Sequence, residues 1–544
     1  MLKKRMSLIL ALVLMISCLL TGCGNAAGEA QAVGAEKVLT VTSNMNMTTM
    51  EPWKSTSSGD PYIFDQIYSK LVESYRGRYY PDLAESWECA EDGRTWTFNL
   101  TPEFYWQRGN DLFGDELVEV TAEDVKYSLE YVMDPENACA RLEDLRSSIE
   151  TIEVIDDKTI RIVTREIDVL FLYKMAAICI MPRKAGETGW DLASKPVGSG
   201  PYKWESNIVD TQVVLTANED YFIKPNIDRI VYRFVTESSV AAITLANKEV
   251  DLVTTFAYSE LPSVKDSGFV EIYSGNSSCR WLGMNVTNEL FNDVRVRRAI
   301  ASFIDMDAVV AAAYPDDGSG VVQAVRAYGQ IPPENAGGDQ ERAKAATPVY
   351  DPKEGDRLMK EAGWEKNSSG IWEKDGKTFT FELQVGTNDP VRMNCAVLIA
   401  TMLGSCGFDC TSKAIEWGTH IADMDAGKCP MFIDGGFSGI DGPMKVMHTD
   451  NTGIFSPNPG YSDKEVDAIL EEAWRTTDDK AREELITRAQ EEWLKDTVYI
   501  PMFFAYNFQA YNGERLKGFF EGDANSMSFN LTSRLRNADI AADE

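Results

Sequence analysis

The chain has 544 residues, and its 85 acidic and 53 basic side chains give a formal net charge of −32 at pH 7. A charge this negative disfavours binding to nucleic acid or to an anionic membrane surface, and solubility is its simplest explanation. The composition, 44% hydrophobic and 25% charged, is that of an ordered globular protein, and the length requires more than one hydrophobic core.

The first segment predicts an export signal that ends at a cysteine. A basic start is followed by an apolar run, residues 8–20, that is too short to span a bilayer comfortably. The sequence Leu20-Thr-Gly-Cys23 at its end resembles the lipobox of bacterial lipoproteins, in which the cysteine is acylated and becomes the mature N-terminus. We therefore expect a signal peptide over residues 1–22, a lipid anchor on Cys23, a flexible tether over residues 23–37 and a soluble body outside the cytoplasm.

Three elements are predicted in the first third of the body. Alternating apolar and polar residues predict strands over 96–100 and 159–163. Between these strands, Thr121-Ala-Glu-Asp124 has the spacing of a capping box, which predicts the start of a helix.

Longer elements are predicted further along the chain. The Asp-Pro pair at 351–352 predicts a helix start, and Gly363 its end. A capping sequence at 462–465 predicts another helix and a charged helical run that continues through Trp493, and an apolar, aromatic strand follows over 498–511. The alternation of such elements predicts an α/β fold.

The eight cysteines that follow Cys23 are scattered and contain no CxxC pair. Neither a zinc site nor a dense disulfide framework is therefore predicted. Two alternatives remain open. One or two bridges form outside the cytoplasm, with Cys406–Cys410 and Cys395–Cys429 as candidates, or the thiols are free and buried.

The sequence carries little sign of catalytic chemistry. It has two histidines, His420 and His448, and it lacks the HExxH, GxSxG, Walker and GxGxxG patterns. A hydrolase that uses either histidine, or a metal held by His448 and Asp450, is disfavoured. We predict a protein that is not an enzyme and that has no cofactor.

Six groups of short motifs follow one another along the chain: Leu83-Ala-Glu-Ser-Trp87 with Asp92-Gly-Arg-Thr-Trp96, Thr121-Ala-Glu-Asp-Val125, Val197-Gly-Ser-Gly-Pro-Tyr202, Leu282-Gly-Met-Asn285 with Phe291-Asn-Asp-Val-Arg-Val-Arg297, Tyr350-Asp-Pro352 with Glu361-Ala-Gly363, and Ile500-Pro501 with Leu516-Lys-Gly518. In composition and order they resemble the motifs of the solute-binding proteins that serve dipeptide, oligopeptide and nickel ABC transporters, the bacterial extracellular solute-binding protein family 5. The resemblance covers nearly the whole chain after the tether.

The resemblance implies an α/β, two-lobed clamshell of the periplasmic-binding-protein type (type II), with an extra domain inserted in the first lobe. It implies an extracytoplasmic, monomeric component of an ABC importer, which captures a peptide between its lobes and delivers it to the permease. The implied domains are lobe I (38–54, 186–258 and 492–535), an inserted domain II (55–185) and lobe III (259–491).

Peptide sites in this family use aromatic residues on lobe III and a carboxylate that meets the peptide amine. By resemblance, Trp417 and Phe437 occupy the positions of such aromatic residues, with core packing as the alternative for both. Gly439 or Ile440 stands where the family has an aspartate, and we predict that a neighbouring acid, Asp434 or Asp441, replaces it.

Asn44 and Asn46, which follow the first predicted strand, are further candidates for the ligand site. The missing aspartate leaves the ligand open, because stacked aromatic residues serve sugars as well as peptides. The alternatives are an oligosaccharide or another neutral solute, or, in a different class of protein, a peptide-sensing receptor.

Overall fold

The computed structural model describes residues 36–44, 46–56, 60–75, 78–168, 170–387, 389–436, 446–449, 461–476, 478–517 and 539–540. One compact unit is Lys37–Ala541, and of the other, Met1–Glu36 with Ala542–Glu544, only Glu36 is described. The predicted signal peptide and Cys23, most of the tether, and the site candidates Phe437 and Asp441 therefore lie outside the described residues. Within those ranges, no helix has both the length and the apolar character that a membrane span needs.

The strands are β1 (Val38–Ser43), β2 (Val72–Tyr75), β3 (Arg78–Pro81), β4 (Ala84–Cys89), β5 (Thr95–Leu100), β6 (Ile149–Asp156), β7 (Thr159–Thr164), β8 (Tyr202–Ile208), β9 (Gln212–Ala217), β10 (Arg229–Phe234), β11 (Leu252–Phe256), β12 (Val270–Met284), β13 (Ala324–Arg326), β14 (Glu365–Lys366), β15 (Trp372–Lys374), β16 (Lys377–Thr378), β17 (Thr380–Gly386), β18 (Asp409–Ile415), β19 (Met431–Gly435), β20 (Tyr499–Asn512), β21 (Leu516–Lys517) and β22 (Asp539–Ile540).

The α-helices are α1 (Pro61–Ile67), α2 (Ala122–Met133), α3 (Leu142–Ser148), α4 (Phe171–Met175), α5 (Arg183–Thr188), α6 (Ser238–Ala246), α7 (Leu261–Lys265), α8 (Val294–Phe303), α9 (Met306–Ala313), α10 (Gln340–Ala346), α11 (Pro352–Glu361), α12 (Pro390–Ser405), α13 (Trp417–Asp425), α14 (Lys464–Arg475) and α15 (Asp479–Lys495). Two short 3₁₀ helices are Pro135–Asn137 and Tyr258–Glu260.

The local sequence signals account for most of the predicted elements. The strands predicted over 96–100 and 159–163 are β5 and β7. Thr121 and Asp124 form the predicted capping box of α2. Gly363, with φ +86°, follows α11 in the left-handed conformation that glycine adopts without strain.

The predicted charged helical run is divided by a short break. The helical run predicted from 462–465 through Trp493 is two helices, α14 and α15. Asp463 caps the first, and Asp478 caps the second by accepting a hydrogen bond from the backbone N–H of Ala481. A second capping carboxylate inside the charged run thus starts a new helix.

The largest sheet has the strand order β18-β17-β19-β12-β20-β11-β1-β10-β9-β8, and β13 also pairs with β20. Its two long central strands, β12 and β20, are antiparallel and pair along nearly their whole length. Their register shifts between Ser274 and Ser277. On one side of this shift β20 pairs with β11, and on the other side β12 pairs with β19. Two strands are therefore shared by both halves of the sheet.

A separate antiparallel sheet, β4-β5-β7-β6, forms before the chain returns to the large sheet at β8. The return passes through Val197-Gly-Ser-Gly-Pro201, where Gly198 packs on the backbone of α1. A Cβ at Gly198 would lie 2.0 Å from the carbonyl oxygen of Ile67. Gln107 holds the same region, because its Nε2 donates to the carbonyl oxygens of Ile67, Gly200 and Tyr202. This motif is glycine-rich because two backbone segments touch there.

All eight cysteines of the body are free. The candidate bridges Cys406–Cys410 and Cys395–Cys429 are therefore absent from this structure. Cys395 is buried within α12, and the Cys429 thiol instead donates to Gln384 Oε1 at 2.7 Å. Of the two alternatives, the structure has the free thiols.

Candidate functional site

Three neighbouring strands bring charged and aromatic residues to one edge of the sheet. β17 pairs in parallel with both β18 and β19, so the carboxyl ends of these strands lie side by side. Asp389 and Arg392 follow β17, and Trp417 follows β18. Asp434 is the penultimate residue of β19. In open α/β sheets, ligands bind outside the carboxyl ends of parallel strands.

A second set of carboxyl ends faces this edge. β1 pairs in parallel with β10 and β11, and β11 ends at Phe256. Phe256 pairs with Phe508 of β20, which in turn pairs with Ser274 of β12, so β11 ends level with Ser274. β19 runs in the opposite direction and ends at Gly435, opposite Arg280 of β12. The two edges thus point at each other across a stretch of six residues of β12, about 20 Å at 3.3 Å per residue. The space between these facing strand ends, hereafter the cleft, has a length along β12 that suits a small solute.

The centre of the first edge, at the ends of β17, β18 and β19, is an ion-pair cluster around the buried Arg392 and Asp434. Arg392 Nη1 donates to Asp434 Oδ1 at 2.7 Å, and Arg392 Nε donates to Asp389 Oδ2 at 2.9 Å. Asp389 also caps α12, because its Oδ1 accepts the backbone N–H groups of Val391 and Arg392. The Arg392 guanidinium lies over the Trp417 ring, 5.2 Å from its centroid. One arginine thus holds together the ends of three strands.

Burial governs the electrostatics of this cluster. The Asp434 side chain is 1% exposed, and burial raises its pKa to about 6, although the Arg392 charge opposes the shift. Burial also lowers the pKa of His420, which packs behind Trp417 with ring centroids 6.1 Å apart. His420 is therefore a neutral packing residue here.

The structure brings two of the predicted site residues together, and it places others apart. Trp417 and Asp434 meet through Arg392, and Trp417 remains half-buried. Asn44 and Asn46 lie beyond the end of β1, on the facing edge, where Asn46 Nδ2 donates to Asp210 Oδ1 at 3.0 Å. No described contact decides whether any of them binds a ligand, so these assignments stay predictions.

Sequence reasoning missed Asp389 and Arg392. The signal was available, because Asp389 is followed by Pro390 in the same way as Asp351 is followed by Pro352, which predicts a helix start at the end of a strand. His448 has acidic neighbours other than the predicted Asp450, which lies outside the described residues. Its Nε2 lies 4.0 Å from Asp467 Oδ1 and 3.8 Å from Glu471 Oε1, and both acids belong to α14.

The shared central strands and the two facing carboxyl edges define a two-lobed binding protein of the periplasmic-binding-protein class. The chain matches the model of bacterial extracellular solute-binding proteins, family 5 Middle, over residues 78–456, and it belongs to this family. The family consists of solute-binding proteins, which confirms the predicted class and the prediction that the chain is not an enzyme.

Relatives and solved structures agree with this assignment. The chain is 27% identical over 526 residues to di/tripeptide-binding protein 2 of Pseudomonas aeruginosa (strain UCBPP-PA14), a match that covers 90% of this chain and 93% of that protein. It resembles the periplasmic binding protein DppA of Helicobacter pylori in complex with the peptide STSA (TM-score 0.68, 24% identity, 93% of this chain and 98% of the other). It also resembles MoaA of A. tumefaciens R10 in complex with mannopinic acid (TM-score 0.65, 25% identity, 93% and 100%). The predicted α/β clamshell is confirmed.

Proposed function

We propose that the protein is the extracytoplasmic solute-binding component of an ABC importer and that it captures a peptide between its two lobes. Family membership supports the importer, and similarity to the di/tripeptide-binding protein of Pseudomonas supports a short peptide. The observation that carries the proposal is the cluster of Asp389, Arg392, Trp417 and Asp434 at the cleft edge. Charged groups beside an aromatic face suit a ligand that has charged ends and an apolar body.

The mechanism follows from the shared strands. A solute that contacts the Trp417 edge and the Asn44 edge together binds the closed arrangement better than an open one, and it therefore shifts the population toward closure. β12 and β20 pass through both halves, and the register shift between Ser274 and Ser277 marks where their regular pairing is interrupted. The proposed division is lobe I (38–54, 186–258 and 492–535), inserted domain II (55–185) and lobe III (259–491).

Calorimetry with purified protein and defined di- to pentapeptides tests the peptide assignment. We expect saturable one-to-one binding that Trp417→Ala weakens. Leu117→Ala, at an exposed apolar residue of the separate region between β5 and α2, serves as a control that leaves binding unchanged. Absence of binding for all the peptides, together with binding of a sugar, would overturn the peptide assignment and leave the solute-binding class intact.

A second solute class has its own support. Trp417 keeps an exposed part at the cleft edge, and an aromatic face stacks on sugar rings as well as on peptide groups. The MoaA structure holds mannopinic acid, so a binding protein of similar fold takes a ligand other than a plain peptide. An oligosaccharide or another neutral solute is the second candidate. A peptide-sensing receptor, the alternative of a different class, would bind peptide without stable association with permease subunits.

Membrane attachment belongs to the same proposal. The lipobox-like Leu20-Thr-Gly-Cys23 supports removal of residues 1–22 and acylation of Cys23. In this proposal the lipid anchor holds the body on the extracytoplasmic face of the cell membrane, beside the permease, and the body is a monomer. Several acyl chains on one residue give stable anchoring, because each buried methylene contributes roughly 0.8 kcal/mol.

A further inference from the structure

The side chain of Arg280 extends from the central strand β12 to the ion-pair cluster at the cleft edge. It lies on β12, opposite Gly435 of β19 and Phe503 of β20. A Cβ at Gly435 would lie 2.5 Å from Arg280 Cδ, so the Arg280 stem occupies the space above this glycine. The side chain thereby reaches the cluster, with its Nε 3.9 Å from Asp389 Oδ2. The absence of a side chain at Gly435 thus leaves the space that the Arg280 side chain occupies on its way to the cluster.

The hydrogen-bonding capacity of Arg280 is only partly used. Its Nη1 donates to Ser278 Oγ at 2.7 Å. The 3.9 Å separation between its Nε and Asp389 is too long for a hydrogen bond. Among the described residues, neither Nε nor Nη2 has a hydrogen-bond partner, and the side chain is 19% exposed. Among the described residues, Nε and Nη2 of Arg280 are therefore available to donate hydrogen bonds to a solute.

Both neighbouring acids already form an ion pair with Arg392. Asp434 accepts from Arg392, and both carboxylate oxygens of Asp389 accept hydrogen bonds, one from Arg392 Nε and one from the start of α12. Burial and the nearby Arg392 charge lower the pKa of Arg280. A buried cation is stable only with a close counter-charge, and Arg280 lacks one at hydrogen-bond distance in the described chain.

We propose that Arg280 binds a carboxylate group of the solute. The guanidinium fork matches a carboxylate in two parallel hydrogen bonds, and the Arg392 charge behind it adds to the attraction. The inference rests on the proposed function, since it requires the solute to enter at this edge. It also changes the expected selectivity: this side of the site selects an anionic end of the solute, because Asp434 already has its charge partner.

Matched pairs of ligands test the proposal. Calorimetry would compare tripeptides as free acids and as C-terminal amides, and glucuronic acid with glucose, against the wild type, Arg280→Gln and Arg280→Lys. For at least one scaffold, we expect the wild type to prefer the acid form. Arg280→Gln should lower the affinity for that acid by roughly 30-fold or more while leaving the neutral form within about 3-fold. The affinity of Arg280→Lys for that acid should lie between those of the wild type and Arg280→Gln, because lysine keeps the charge and lacks the guanidinium fork.

Arg326→Gln is the matched control. Arg326 lies on the other side of β20, also opposite Phe503, and its side chain is 18% exposed. Its Nη1 donates to the carbonyl oxygens of Pro501 and Met502, so its loss removes a similar charge without opening a ligand contact. We expect Arg326→Gln to keep the acid preference.

The outcomes separate this inference from the proposed function. Equal affinities for acid and neutral forms in the wild type, or an equal loss for both forms in Arg280→Gln, would overturn the role of Arg280 even if peptides bind. A retained acid preference of the sugar pair without any peptide binding would overturn the peptide assignment and keep Arg280. Absence of binding to every carboxylate of the panel would overturn both.

Discussion

Arg392 and Asp434 form an ion pair in which the carboxylate is 1% exposed and the arginine side chain 8%. Burying such a pair costs desolvation free energy, which close hydrogen bonds only partly offset, so the pair adds less to stability than its short distance suggests. The structural role of the pair is to hold the end of β19 against the start of α12.

The first prediction concerns the pH dependence of stability. The folded-state pKa of Asp434, about 6, lies above the value of about 3.9 for an unfolded aspartate, so the folded state holds this proton more tightly. Its contribution to stability is fully present below about pH 4 and is lost as the pH rises through 6, by about 3 kcal/mol in total. Urea unfolding of wild type and Asp434→Asn from pH 4 to pH 7 measures the difference.

A carboxylate with the opposite shift provides the control. The hydrogen bonds from Arg295 lower the pKa of Asp293, so the stabilising effect of Asp293 is present at neutral pH and is lost on acidification. The difference between wild type and Asp293→Asn should therefore change little from pH 4 to pH 7 and should fall only on acidification below pH 4, whereas the stability advantage of wild type over Asp434→Asn should shrink as the pH rises from 4 to 7. A pH-independent difference for Asp434→Asn would contradict the raised pKa.

The second prediction concerns capture of a peptide amine. If an acid replaces the family's aspartate, removing that acid should weaken free-amine peptides by about 2 kcal/mol and barely affect their N-acetylated versions. Asp434 already pairs with Arg392, so we expect the selective loss in Asp441→Asn rather than in Asp434→Asn. Calorimetry of each peptide pair decides it. Equal affinities in all three proteins would show that the site has no amine anchor at this position.

The third prediction concerns closure. Small-angle scattering should show a smaller radius of gyration at saturating peptide than without it, because the solute favours the arrangement in which both edges contact it. Trp417→Ala at the same peptide concentration should keep the larger radius, provided that calorimetry shows its site is empty there. An unchanged profile for saturated wild type would count against the clamshell mechanism.

The fourth prediction concerns the anchor. Cys23→Ala should release the protein from the membrane fraction, because the acylated residue is lost. Cys89→Ala is the control, since this half-buried thiol lies in β4 of the body and leaves the anchor in place. If Cys23→Ala still fractionates with membranes after a carbonate wash, the lipoprotein assignment is wrong.

The fifth prediction concerns the glycine-rich return at Val197–Pro201. Gly198→Ala should lower the free energy of unfolding by about 2 kcal/mol or more, because the added Cβ meets the Ile67 carbonyl oxygen and a backbone cannot move aside cheaply. Gly404→Ala, inside α12 with no atom within 4 Å of the added Cβ, should instead be neutral or stabilising by up to about 1 kcal/mol. Equal effects of the two substitutions in urea unfolding would contradict this.

The sequence predicted local elements better than it predicted the site. Capping boxes, Asp-Pro starts and strand alternation depend on neighbouring residues, so Thr121, Asp351 and Gly363 could be assigned from the chain alone. The charged cluster depends on the order of strands: Asp389 and Asp434 are 45 positions apart and meet only because β17 and β19 are parallel neighbours. Arg280 was missed for the same reason, since a lone arginine in a strand pattern carries no local signal of what faces it.

The place of β20 in the sheet has a consequence for the order in which the protein folds. This strand, Tyr499–Asn512, lies between β12 and β11 at the middle of the large sheet, yet it follows every other strand of that sheet in the chain. Neither half can complete its hydrogen bonding until residue 512 has been synthesised, and such long-range pairing forms slowly. A growing chain therefore lacks the complete large sheet until Tyr499–Asn512 has been synthesised. A fragment that ends before Tyr499 should remain protease-sensitive at concentrations where the full chain resists.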